Sequence, residues 1–177
     1  VAKFWQDDIK LIAYYHDCPE ELVAEFPQSN VIEYRNLNDV QDMLDYRERM
    51  KDHDGTEGGQ MQYNWRMDAI KWSHKVYAMT DLSLEIGDKE AKGGWLIWLD
   101  ADTITTKPFS QKSLDTIVPK KAELVYLGRK DVDYSETSFI AFNLDYQSPH
   151  YLLADLRGCY DIGEVISYRE WPDGFIF

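Results

Sequence analysis

Cysteine is nearly absent: there are two in 177 residues, Cys18 and Cys159, and no CxxC pair. That excludes a disulfide framework and a cysteine-based zinc site, and two reduced thiols in a cytoplasmic protein is the expectation. Long hydrophobic runs are missing too. No uninterrupted apolar stretch exceeds that of Trp95 to Leu99, far short of the roughly 20 residues a membrane-spanning helix needs, so no membrane span is expected. Basic charge is the third shortage, with 19 Lys and Arg against 32 Asp and Glu for a formal net charge of −13. A field of that sign repels phosphate backbones and anionic lipid, which argues against a nucleic-acid partner or a basic membrane-binding face. An acidic chain can still hold one phosphate-bearing ligand, but only through a local device such as a metal ion or a few well-placed Lys and Arg. No internal repeat or low-complexity tract is found.

Aromatic residues are plentiful, at 14% with 6 Trp and 12 Tyr. A chain so supplied can bury a core, unlike a disordered one. The length suits one domain over residues 1–177, and Val1 leaves room for further chain at either end.

Hydrophobic periodicity lays out the elements. Residues 9–15 (IKLIAYY) read as a strand, Asp17, Cys18 and Pro19 as a break, 19–26 as a helix and 31–35 as a second short strand. A charged helix is expected over 38–51, capped by Asn38 or Asp39. The glycine-rich stretch 52–60 is a loop, either a plain linker or a border of a binding site. Over 63–79, Trp65, Ala69, Trp72, Val76 and Met79 make one apolar helical stripe, with Asp68, Lys71 and Lys75 beside it. Residues 93–99 read as a strand buried on both faces, with further strands at 122–128 and 138–143 and a helix at 149–159. Such alternation predicts an α/β fold with a mostly parallel central sheet flanked by helices.

Chemistry concentrates in WLIWLDADTITTKPF, residues 95–109. Two aspartates follow a buried strand at i and i+2, so Asp100 and Asp102 point the same way at the carboxyl end of a sheet strand, the edge where open α/β sheets bind ligands. Paired carboxylates suit a hard cation, Mn²⁺ or Mg²⁺, which would grip a diphosphate. Three other readings compete. One is an Asp-rich turn that merely caps the next segment. An EF-hand loop fails, because Ile104 and Thr105 stand where Asp or Asn and then Gly are required. A phosphatase of the haloacid dehalogenase type, with Asp100 as nucleophile and Asp102 as general acid, is disfavoured by the long α/β stretch that precedes the motif and by Ile104.

LDADTITTKPF resembles the Asp-x-Asp segment of GT-A fold glycosyltransferases, which use nucleotide-sugar donors. YNWRMDAIKWSHKVYAM, ETSFIAFN (136–143) and EWPDGFIF (170–177) resemble, in the family's order, the helix before that strand, the donor-sugar segment and an acidic acceptor-side motif. The resemblance implies a single GT-A, Rossmann-like domain. The family fold opens with a strand whose following loop holds the nucleobase, and the reading allows for a first strand lying upstream of this sequence. It implies that Asp102 binds the metal and that Asp100 supports it or bonds the ribose. Lys75 would lie near the diphosphate, with Arg66, Asp68 and Lys71 as weaker candidates, and Glu136 and Thr137 would contact the donor sugar. Asp173 would be the general base, with Glu170 as the alternative.

The implied activity is metal-dependent, hexosyl-type transfer from a nucleoside-diphosphate sugar, UDP-sugar being the commonest donor, to an acceptor hydroxyl. Inversion is favoured because a carboxylate base lies late in the chain. A non-catalytic sugar- or nucleotide-binding module is the remaining alternative. None of the histidines is assigned to the metal.

Overall fold

One helix, α3 (Ala69–Asp88), organises the core of the computed structural model, which describes residues 4–5, 9–56, 62–88, 94–130 and 135–177. Residues 57–60 of the loop expected at 52–60 lie outside these residues. Around its middle α3 is buried on nearly every side: Val76, Tyr77, Ala78 and Met79 are almost wholly covered, as are Ser73 and Thr80. The two hydroxyls are satisfied within the helix, Ser73 Oγ donating to Ile70 O at 2.7 Å and Thr80 Oγ1 to Val76 O at 2.8 Å, so their burial carries little cost.

Three layers close on α3. Helix α2 (Gln41–Arg49) contributes Met43 and Tyr46, and α5 (Gln147–Asp161) contributes Leu153, Leu156 and Tyr160. A three-stranded sheet, β3 (Trp95–Leu99), β4 (Leu124–Leu127) and β5 (Glu136–Asn143), adds Leu96, Ile140 and Phe142. Separately, β1 (Leu11–Tyr15) and β2 (Ile32–Asn36) form a parallel pair in register from Leu11–Ile32 to Tyr15–Asn36. Short helices α1 (Glu20–Val23), α4 (Gln111–Ile117) and α6 (Asp173–Ile176) complete the order.

The α/β class is as expected, but the described strands do not form a mostly parallel sheet. The order is β3-β5-β4, with β5 antiparallel to both neighbours. The reason is length: the connection 128–135 is too short for the crossover of a dozen or more residues that a parallel return needs. As a result β3 pairs on one side only among the described strands, and only Leu96 of it is buried, not both faces as expected. The strand at the centre is β5.

Two helix starts also differ from expectation. Neither Asn38 nor Asp39 caps α2; Asn36 instead caps a 3-10 turn at Leu37–Asp39, its side chain accepting from Asn38 N at 3.0 Å. The side chain of Asn38 is drawn to Asp17 Oδ1 at 3.1 Å. Helix α3 begins at Ala69 because Asp68 caps it, accepting from Lys71 N at 2.7 Å. Trp65 therefore stands outside the helical stripe, in a 3-10 turn at Trp65–Met67. Helix α4, opened by a reciprocal Ser110–Ser113 capping box, was not foreseen.

The turn after β1 meets α3 through an aromatic pair. Asp17 sits at φ 49°, held by Arg47 Nη2 at 2.5 Å, and the His16 and His74 rings lie 3.9 Å apart. Burial, with help from His16 and Arg47, pushes the His74 imidazole down to about 4, and its buried Nε2 has no hydrogen-bond partner. The folded protein thus keeps His74 neutral while the unfolded chain protonates it below about 6.5. The His74 contribution is complete above pH 6.5, is lost as pH falls from there towards 4, and is constant below. Comparing His74→Phe with the parent by urea denaturation at pH 7.5 and 4.5 should show the variant gaining relative stability at the lower pH, by about 3 kcal/mol at most. Equal pH dependence in both would contradict this.

Candidate functional site

Four stretches far apart in sequence meet at the ammonium of Lys75. Its Nζ donates to Thr137 O at 2.6 Å, and lies 3.0 Å from Asp100 Oδ1 and 2.9 Å from Asp173 Oδ2. Trp98 adds its ring, 5.4 Å from Nζ, and donates from Nε1 to Asp100 Oδ1 at 2.5 Å. Helix α3 supplies the cation two turns from its start, Asp100 follows the end of β3, β5 begins beside Thr137, and α6 opens with Asp173. Lys75 and Asp173 are buried, while the Asp100 side chain is 37% exposed.

A buried charge is tolerated only when paired, so Lys75 binds these elements to one another. The geometry at Asp173 is nevertheless incomplete. Its Oδ2 faces the ammonium as an ion pair, but no directed hydrogen bond reaches this buried oxygen. Gly174 lets the chain come this close: a Cβ there would stand 2.7 Å from Ser135 O. The ring of Phe177 lies edge-on to Tyr126 and Phe142, at 5.7 and 6.4 Å between centroids, and secures the C-terminal turn.

Asp102 is exposed and takes no hydrogen bond or ion pair among the described residues, nor does Asp100 Oδ2 take a hydrogen bond there. Two oxygen donors of this kind fit Mg²⁺ or Mn²⁺, which keep several waters and need only one or two carboxylates. Among the described residues no group of three or more His, Cys, Asp and Glu side chains is placed to hold a metal ion. The segment after Asp102 is tied down from the other side of the chain. Phe109 N donates to Phe4 O at 2.7 Å, Trp5 Nε1 donates to Thr105 Oγ1 at 3.0 Å, and the Trp5 and Phe109 rings are 5.0 Å apart.

The other residues singled out in the sequence are placed differently. Asp68 is buried, capping α3 with Oδ1 and accepting from Tyr63 Oη with Oδ2 at 2.7 Å. Arg66 lies over Trp65 at 5.1 Å, with Nε 3.5 Å from Glu170 Oε2, and Lys71 Nζ lies over Trp72 at 5.1 Å. These contacts do not bring Arg66 or Lys71 to Lys75. Glu136 pairs with Arg129 through Oε2 and accepts from Ser138 N through Oε1 at 3.1 Å. Thr137 is buried and serves Lys75 through its carbonyl. Sequence reasoning missed Trp98, although its place two residues before Asp100 on one strand sets both side chains on the same face.

A cleft of about 300 Å³ opens at the carboxyl ends of β1 and β2, lined by Tyr14, Tyr15, Tyr34, Arg35, Asn36 and Asp81 among others. Tyr14 Oη donates to Asp81 Oδ2 at 3.0 Å, and burial together with that carboxylate pushes the phenol up to about 12. Asp81 and Lys75 share α3, about 9 Å apart along its axis.

Compared with protein-family models, with curated proteins and with solved structures, the chain matches none. Cys18 and Cys159 are both free thiols, and no helix among the described residues is long and apolar enough to cross a membrane.

Removing the cation tests the cluster. Lys75→Met leaves Asp173 buried without its partner and should cost about 3–5 kcal/mol in urea unfolding. The double variant Lys75→Met/Asp173→Asn should recover at least about 1 kcal/mol of that loss, because the two residues are directly coupled. Strict additivity would contradict the pairing.

Proposed function

We propose that this chain is the catalytic domain, of the GT-A type, of a metal-dependent glycosyltransferase that moves a sugar from a nucleoside diphosphate, UDP in the first instance, to an acceptor hydroxyl. The observation that carries this reading is the convergence of Asp100 and Asp173 within 3.0 Å of the Lys75 ammonium, with exposed Asp102 two residues along from Asp100. A cation and a pair of carboxylates at the end of a strand give a −13 chain the local means to hold a diphosphate. The tyrosine-lined cleft further along α3 has the size and mixed lining that a nucleoside requires.

Asp100 and Asp102 would hold Mn²⁺ or Mg²⁺, which supplies Lewis-acid neutralisation of a leaving diphosphate when bound. Lys75 places a fixed positive charge beside the same position, preorganised by Thr137 O and the Trp98 ring. The acceptor oxygen bonds to the anomeric carbon as the bond from that carbon to the diphosphate breaks, the electron pair leaving on the nucleotide. Asp173 takes the acceptor proton, its Oδ2 having no directed hydrogen bond at rest. Asp173 is only 2% exposed, so this step requires the C-terminal turn to shift outward. At rest Asp173 lies 2.9 Å from Lys75 Nζ, on the diphosphate side, so inversion requires the same shift to carry it to the face of the anomeric carbon opposite the leaving group. Asp68 acts here through the cap on α3, Arg66 and Lys71 lie beside Trp65 and Trp72 rather than at the phosphates, and Glu136 and Thr137 would border the donor sugar.

A phosphatase using Asp100 as nucleophile has one observation in its favour: Lys75 pairs with Oδ1 and leaves Oδ2 without a hydrogen bond among the described residues. Calorimetric titration with UDP separates the readings. Binding should require Mn²⁺ and weaken at least tenfold in Asp102→Ala, with the variant's melting temperature unchanged. A folded parent that shows no metal-dependent UDP affinity would contradict the transferase reading.

A further inference from the structure

The start of α3 carries an unusual surface for so acidic a chain. Tyr63 and Trp65 are 49% and 42% exposed, and Trp72 packs edge-on against Trp65 with 5.8 Å between centroids. Leaving such rings in water forgoes the burial that aromatic side chains ordinarily supply. They are also held firmly. Trp72 Nε1 donates to Trp65 O at 2.7 Å, Tyr63 Oη donates to Asp68 Oδ2 at 2.7 Å, and Asn64 caps the intervening turn by accepting from Arg66 N at 3.2 Å. Behind Tyr63 the chain turns at Gly55 with φ 82°, where a Cβ would stand 2.7 Å from the Tyr63 ring. Arg66 and Lys71 each lie 5.1 Å from a tryptophan ring and add hydrogen-bond donors at the rim.

This surface is joined to the segment that carries Asp173. Trp171 N donates to Arg66 O at 2.9 Å, Arg66 Nε lies 3.5 Å from Glu170 Oε2, and His53 stands edge-on to Trp171 at 5.6 Å. Asp173 follows Trp171 by two residues. The turn that carries Trp65 and Arg66 is therefore bonded directly to the short segment that presents the proposed base.

We propose that Tyr63, Trp65 and Trp72, with Arg66 and Lys71, form an acceptor platform for a saccharide. The proposal rests on the transferase reading and adds the class of acceptor to it. A sugar ring has an apolar C–H face that complements the negative face of an indole and hydroxyls that take hydrogen bonds from rim cations. Nucleic-acid bases also stack on aromatic rings, but a −13 chain repels the backbone that carries them.

The test is a glycan array of neutral and acidic saccharides, probed with the parent chain, Trp65→Ala and Trp65→Phe, each with and without UDP and Mn²⁺. Trp65 is exposed, so both variants should keep the parent's melting temperature. Retained glycans should bind at least tenfold more weakly to Trp65→Ala and be largely restored in Trp65→Phe. No glycan retained by the folded parent under either condition, or equal retention by Trp65→Ala, overturns the platform. Trp65-dependent capture of single-stranded DNA at physiological salt in place of glycans overturns the saccharide assignment. If UDP fails to bind with Mn²⁺ while Trp65-dependent glycan binding persists, the transferase reading falls and the saccharide surface stands.

Discussion

A single buried ammonium ties α3 to the end of β3, the start of β5 and the C-terminal turn. Lys75 supplies it from the most enclosed helix. An unpaired charge left buried there would cost several kcal/mol in desolvation, so removing one partner alone is expected to destabilise the cluster. The same pairing fixes Asp100 and Asp173 relative to each other. The side chain that meets this structural requirement also supplies the charge the proposed chemistry would use.

The surroundings of α3 show how polar groups are accommodated elsewhere in the core. Tyr46, Tyr77 and Tyr160 are wholly buried, with neighbouring rings 5.5 and 5.7 Å apart. Tyr77 Oη donates to Asp161 Oδ1 at 2.7 Å, and Arg157 stacks over Tyr77 while reaching Asp42, Asp161 and Thr80. Burial pushes all three phenols well above their ordinary range, which keeps them neutral and able to donate. Where such groups are complete in their hydrogen bonds, they stiffen the core. Two buried polar atoms depart from that pattern among the described residues, His74 Nε2 and Asp173 Oδ2, and the second belongs to the group the proposed chemistry would use.

Much of this was legible in the sequence. The alternation of apolar runs gave β1, β2, β3, β4, β5 and α5 close to their observed places, and the Asp-x-Asp pair after β3 contains Asp100, which the structure brings to Lys75. Pairing direction was misjudged because an apolar strand looks alike in either orientation, although the short 128–135 connection carried the information. Trp65 was assigned to the helical stripe because periodicity is blind to a cap, and Asp68 is that cap. The roles of Thr137 O and of Arg129 with Glu136 were not legible at all. A backbone carbonyl has no sequence signature, and a distant ion pair depends on how the chain has already folded.

The account's central claim is that the Lys75–Asp100–Asp173 cluster serves a sugar transfer. The most direct measurement is turnover: incubation of the parent chain with a panel of UDP-sugars and Mn²⁺, following UDP release by chromatography, beside Asp173→Asn. The account predicts metal-dependent release of UDP by the parent, reduced at least a hundredfold in the variant, the order of a lost general base. No release from any donor, together with hydrolysis of phosphate esters and a phosphorylated Asp100 detected by mass spectrometry, would contradict it.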